Sequence, residues 1–257
     1  MGTSFSLSWK DRLKASGIHF CISLVIALLA ALLVFGLWYP YPYREISGGR
    51  ELFLIVVTVD VILGPLITLT IFNRTKPWRE LRRDLAIVAL IQLSALGYGL
   101  WTVFVARPVH LVFEIDRFRV VHAIDIAAEE LTQTPPGVDA MPLLGPTLLS
   151  LRPFQNTQEN MDATMAALQG LPLGARPGLW QSYAAGKADL LKIARPVDEL
   201  KRRFALQAAA IDRVVAQTDR PAEALVYLPM VGRKSFWTVL LDPATAEVLA
   251  FMPLDSF

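Results

Sequence analysis

Three long stretches almost empty of charge constrain this chain more than anything else in it. No Asp, Glu, Lys or Arg occurs from residue 15 to residue 43, residues 52–72 carry only Asp60, and residues 85–106 carry none. A bilayer core of ~30 Å is crossed by roughly 20 apolar residues in helical form. The sequence therefore predicts three transmembrane α-helices, at about residues 18–39, 52–72 and 85–106. The whole chain of 257 residues is only 19% charged, against about 25% in soluble domains, and the apolar excess is concentrated in residues 1–106. Residues 107–257 are long enough to bury a core of their own.

The first run follows Lys10, Arg12 and Lys14, as a signal peptide would. It exceeds the roughly 7–15 residues of a signal core, however, and ends in Trp38-Tyr39-Pro40-Tyr41-Pro42-Tyr43 rather than in small residues. It reads as an uncleaved anchor. Orientation follows the Lys/Arg bias of short loops. Arg74, Lys76, Arg79, Arg82 and Arg83 follow the second run, whereas only Arg44 and Arg50 lie between the first two. This predicts a cytoplasmic N-terminus and, after an odd number of spans, a C-terminal domain outside. Trp38, Tyr39, Tyr41 and Tyr43 would form an aromatic belt at the outer interface, and Arg79–Arg83 would meet anionic headgroups.

The outer domain, residues 107–257, reads as α+β with antiparallel strands. Residues 109–115 and 118–124 suggest a hairpin turning at Asp116-Arg117. Residues 132–177, rich in Pro, Gly and Thr, read as loops with a short helix near 158–168. Residues 196–218 show helical spacing, with Leu200, Phe204, Ile211 and Val215 on one face. Residues 224–231, 235–241 and 247–252 suggest a three-stranded meander, with turn chemistry at both junctions.

Charge excludes some classes of function. The first 106 residues carry ten Lys/Arg against six Asp/Glu, and the remainder fifteen against seventeen; neither half suits nucleic acid. The lone Cys21 permits no internal disulfide. His19, His110 and His122 are too scattered for a metal site. No G-x-S-x-G, H-E-x-x-H or C-x-x-C motif is present. No enzymatic activity, cofactor or metal is expected.

Asp60 is the sharpest single residue. A carboxyl near mid-bilayer costs at least ~2.5 kcal/mol even on lenient insertion scales. Four and five residues on come Gly64 and Pro65, and Pro65 deprives the Val61 carbonyl of its helical donor. Counted from the ends of the apolar runs, Tyr98 lies at the depth of Asp60, with Gln92 about two turns deeper. Asp60, Gly64, Pro65 and Tyr98 form either an intramembrane polar notch for a partner helix or an Asp–Tyr bond that packs the three spans. A proton relay is the weaker third reading, since one carboxylate makes no path. Ala27/Ala31 and Ala95/Gly99 are small-residue pairs suited to close helix contact, read mainly as internal packing. Trp237 is the candidate for a partner surface on the outer domain.

Four stretches in order, YPYREISGGRELF, VDVILGPLITLTIFN, RRDLAIVALIQLSALGYGLWTV and ARPVHLVFEIDRFRVV, resemble the TfpX/TfpZ family of type IV pilin accessory proteins. The resemblance covers roughly residues 10–126. It implies an inner-membrane helper or chaperone for a major or minor type IV pilin, with a periplasmic C-terminal domain. Such a pilin has an apolar N-terminal helix, bearing an embedded glutamate, and an outer globular head. The spans would hold the helix while the domain meets the head, and an exposed edge of the meander could add a pilin strand. The rival class is a membrane-anchored sensor or regulatory protein, whose outer domain would need a closed apolar pocket and whose inner side would need an output element.

Overall fold

The computed structural model describes residues 2–74 and 76–257, with side chains from Trp9 onward. Among them, three helices are long and apolar enough to cross a membrane: Trp9–Trp38, Gly49–Ile71 and Trp78–Val105. The first is helix α1 (Gly2–Leu33), continued by a π-helical turn at Val34–Trp38. A single turn, α2 (Tyr43–Ile46), precedes the second. The second comprises α3 (Gly49–Thr58), a π-helical turn at Val59–Leu63, and α4 (Gly64–Ile71). The third is α5 (Trp78–Val105). Leu28, Leu32, Ile55, Leu90 and Ile91 are exposed, as hydrocarbon-facing residues should be.

The chain forms two compact units. One contains the spans, up to Leu37 and from Gly49 to Val105; the other joins Trp38–Gly48 to Ala106–Phe257. The segment between the first two spans thus folds with the C-terminal domain. Tyr39 and Ile46 are fully buried and Tyr43 nearly so, and Tyr43 and Ile46 pack in one core with Leu111, Phe118, Met230 and Trp237. The backbone agrees, because the Lys234 amide donates to the Ile46 carbonyl at 3.0 Å. Tyr39 and Tyr43 are therefore core residues rather than members of an interfacial belt. Burial raises the pKa of both hydroxyls.

The domain is built on one sheet in the order β4-β3-β1-β2-β6-β7-β8, with β5 also on β6. Its strands are β1 (Pro108–Glu114), β2 (Arg117–His122), β3 (Thr147–Leu151), β4 (Trp180–Ser182), β5 (Arg195–Pro196), β6 (Val226–Val231), β7 (Phe236–Leu241) and β8 (Val248–Met252). The expected hairpin is β1–β2, and the expected meander is β6–β7–β8; both are antiparallel. The sheet as a whole is mixed, however. β3 pairs parallel to β1, and β6 pairs parallel to β2 through only Phe118↔Met230 and Arg119↔Val231. Parallel neighbours need a connection that returns to the same end of the sheet; β2 makes the return between β1 and β3, and the chain from 123 to 225, with its helices and short strands, lies between β2 and β6.

Two helical readings change. α6 (Thr157–Leu168) matches the short helix expected there; Asn156 caps it by accepting from the Glu159 amide at 2.8 Å. α7 (Tyr183–Ile193) was not anticipated. The single helix over 196–218 is instead α8 (Val197–Arg203) and α9 (Ala208–Val215). The chain leaves helical dihedrals at Phe204, with φ −119° and ψ 54°. Arg203, just before the break, donates to the Tyr227 hydroxyl and to the carbonyls of Ser256 and Phe257. The break lets both pieces bury their apolar residues, Val197 and Leu200 in one and Ile211 and Val215 in the other, against Leu225, Tyr227 and Leu240.

The loops over 132–177 are held by a buried carboxylate. Glu114 on β1 accepts from Arg119 at 2.7 Å and from the Gly174 amide at 2.9 Å. A Cβ on Gly174 would stand 2.7 Å from that carboxylate, so only glycine allows the approach.

Two predictions concern the domain. A Cβ at Gly232 would lie 2.8 Å from the Ile46 carbonyl and closer still to the Ile46 side chain. Gly232→Ala should cost about 1–3 kcal/mol of stability, read from thermal unfolding of the full chain in detergent. His110 is fully buried on β1; its Nδ1 lies 2.7 Å from the Thr147 hydroxyl and its Nε2 lies 3.1 Å from the Ala140 carbonyl. Burial lowers its pKa from 6.5 to about 4. The unfolded chain thus binds this proton first as pH falls. Stability should decline from pH 6.5 toward pH 4 by about 3 kcal/mol in total. His110→Gln should flatten the dependence in that window, and a pH series of unfolding temperatures checks it.

Candidate functional site

Asp60 stands in the π-helical turn Val59–Leu63 that divides the second span. Such single-turn bulges are frequent at functional sites. In this i→i+5 register, the amide that would reach the Asp60 carbonyl belongs to residue 65, and Pro65 has none. The orphaned carbonyl is therefore that of Asp60 rather than Val61. Gln92 on the third span repairs it, its Nε2 donating to the Asp60 carbonyl at 3.1 Å. Gly64 makes room: a Cβ there would collide with the Gln92 side chain. Pro65 and Thr68 are buried against the first span, where Ser16 Oγ donates to the Pro65 carbonyl at 2.9 Å and His19 Nδ1 lies 2.6 Å from Thr68 Oγ1. Each break in the second span thus has a polar answer from a neighbouring helix, as the absence of water in hydrocarbon requires.

The Asp60 residue is 8% exposed and lies in the wall of a groove of about 320 Å³ between the second and third spans. Ile55, Val56, Val59, Leu96 and Gly99 supply apolar lining, while Tyr98 and Thr102 supply hydroxyls. Gly99 lets the spans close up, since a Cβ there would meet Val56 at 2.6 Å; this small residue serves internal packing. A separate groove, about 440 Å³, is lined by Gln92, Ile67, Ile71, Ile87 and Ile91 and by the Lys76–Asp84 ion pair at 2.6 Å.

The sequence-derived residues fare differently. Asp60 lies within the π-helical turn, and Gly64 and Pro65 begin α4 just after it. Tyr98 lines the same groove but is 74% exposed and makes no hydrogen bond to Asp60 among the described residues. The depth estimate erred because the second helix begins at Gly49, three residues before the apolar run. Trp237 was expected on an outer partner surface. It is only 7% exposed, packed edge-on to Tyr41 with ring centroids 6.1 Å apart, and its strand neighbour Phe236 is the exposed aromatic. The missed residue is Gln92, whose signal was an amide side chain in an otherwise apolar helix. No group of three or more His, Cys, Asp or Glu placed to hold a metal occurs among the described residues.

This geometry generates one prediction. Gln92→Leu leaves the Asp60 carbonyl unpaired and should cost about 1 kcal/mol; Gly64→Ala, which displaces Gln92, should cost at least as much. Tyr98→Phe should leave stability unchanged. Unfolding in mixed detergent micelles compares the three.

Among known proteins, the family model of the fimbrial assembly protein FimB matches residues 7–48. Two fimbrial assembly proteins of Dichelobacter nodosus, of serogroups I and E1, are each 35% identical over 246 residues, covering 95% of this chain and 95% of the relative. A third, of serogroups C1 and C2, is 44% identical over 120 residues, covering 47% of this chain and 92% of the relative. No solved structure matches. The similarity runs through both the spans and the C-terminal domain, and the chain belongs to the family of fimbrial assembly proteins.

Proposed function

We propose that this chain is a non-catalytic accessory protein of the TfpX/TfpZ type, which holds a type IV pilin in the bacterial inner membrane before the pilin enters the pilus. Membership of the fimbrial assembly family supports a role in fimbrial biogenesis, and the three apolar helices suit an inner-membrane location. The observation that carries the finer reading is the groove at Asp60. It is apolar, it lies between the second and third spans, and its wall holds the Asp60 carboxyl, hydrogen-bonded by Gln92 within the chain and able to engage a helix that brings a matching polar group. A pilin N-terminal helix with its embedded glutamate is such a ligand, provided one of the two carboxyls carries a proton. The Lys/Arg distribution supports a cytoplasmic N-terminus and a periplasmic domain, where the domain would meet the pilin head.

Site-specific photocrosslinking in cells tests this reading. A crosslinker at Ile55 or Tyr98, on the groove, should capture pilin; one at Leu32, on the exposed face of the first span, should capture it far less. Deletion of the chain should reduce pilus number. If pilin is never captured and pilus number is unchanged on deletion, the reading is wrong.

A further inference from the structure

The loop Met141-Pro142-Leu143-Leu144-Gly145-Pro146 has an exposed apolar tip. Leu143 and Leu144 are 63% and 67% exposed, although the residues on either side of them are tied down. Two separate ties fix where that tip lies. Arg107 is buried and donates to the carbonyls of both Met141 and Pro142 at 3.3 Å. Arg107 is the second residue after Val105, the end of the third span. Gly145 meets Pro40, its Cβ position lying 3.7 Å from the proline ring. Pro40 is the second residue after Trp38, the end of the first span. Two residues of extended chain reach at most about 7 Å, so Arg107 and Pro40, which hold the loop, each lie close to the end of a span.

A third tie brings another apolar side chain to the same level. The Ala123 amide donates to the Arg107 carbonyl at 2.9 Å, and the next residue, Ile124, is 61% exposed. Beside it, Asp125 pairs with Arg233 on the β6–β7 turn at 2.5 Å, and Lys234 follows. Large apolar tips tied to residues that follow directly on two spans have the composition of an interfacial membrane contact.

We propose that Leu143 and Leu144, with Ile124, dip into the lipid leaflet from which the domain emerges, making this loop a membrane contact separate from the three spans. Its occupant is lipid, because the anchors of the loop follow directly on segments already in lipid. The proposal does not rest on the pilin reading and holds for either orientation of the chain.

Single-cysteine variants of the full chain in a Cys21→Ser background test it. Leu143→Cys, Leu144→Cys and, as reference, Leu206→Cys are labelled with an environment-sensitive fluorophore. Leu206 is 97% exposed between α8 and α9, so all three substitutions spare the core. The labelled chains are reconstituted into phosphatidylcholine–phosphatidylglycerol vesicles. Positions 143 and 144 should be quenched by lipids carrying a shallow nitroxide, and quenched by aqueous iodide several-fold less than position 206. Iodide quenching equal to that at 206, with none from the spin-labelled lipid, overturns the proposal. Shielding from iodide without lipid quenching overturns it too, since that marks a loop covered by protein.

Discussion

Hydrocarbon offers a backbone carbonyl nothing to bond, and the second span is organised around that fact. Pro65 removes one amide from the middle of the helix, and the π-helical turn at Val59–Leu63 determines which carbonyl is left over. The consequences spread outward. Gln92 must be on the third span to donate, residue 64 must be glycine to admit it, and Ser16 and His19 must face the other side. The three helices are joined by specific polar contacts as well as by general apolar packing, which has little force of its own among lipid tails. The same break places the largely buried Asp60 in the groove wall, so the device that distorts the helix also positions this polar group.

The C-terminal domain follows a different logic, in which burial of apolar surface dominates. Its sheet unites a hairpin made directly after the membrane with a meander made at the far end of the chain, and the joint between them is narrow, only two residue pairs of β2 and β6. What reinforces the joint is side-chain packing across it: Phe118 on one side and Met230 and Trp237 on the other share a core with Tyr43 and Ile46. The intervening residues add β3, β4 and loop residues such as Ile126 and Ala175 as a second wing around Val109, Leu149 and Trp180.

Much of this was legible in the sequence. Uncharged runs marked the spans, and alternation with turn residues marked the hairpin and the meander, because these signals are local. The hidden parts depended on distant partners. β3 is five residues long inside a stretch rich in proline and glycine, and it exists because β1 lies open beside it. The break at Phe204 has no proline or glycine to announce it; it follows from what Arg203 and the C-terminus need. In the candidate site, Asp60, Gly64 and Pro65 were legible because their chemistry is out of place in lipid. Gln92 was passed over for Tyr98 because depth was counted from the ends of the apolar runs, and the helix does not end where its apolar run does. Trp237 was misjudged by strand parity, since Phe236 takes the outward face.

The insertion of Tyr39, Tyr43 and Ile46 into the domain has a consequence for biosynthesis. These residues leave the ribosome long before the strands that surround them, and they lie beyond the first span while the strands lie beyond the third. The core closes only if both pieces arrive on the same side of the bilayer. A chain whose second or third helix failed to thread would strand the loop opposite the sheet and leave the sheet with an open hydrophobic hole. Closure of this core therefore requires that the segment after the first span and the strands after the third reach the same side.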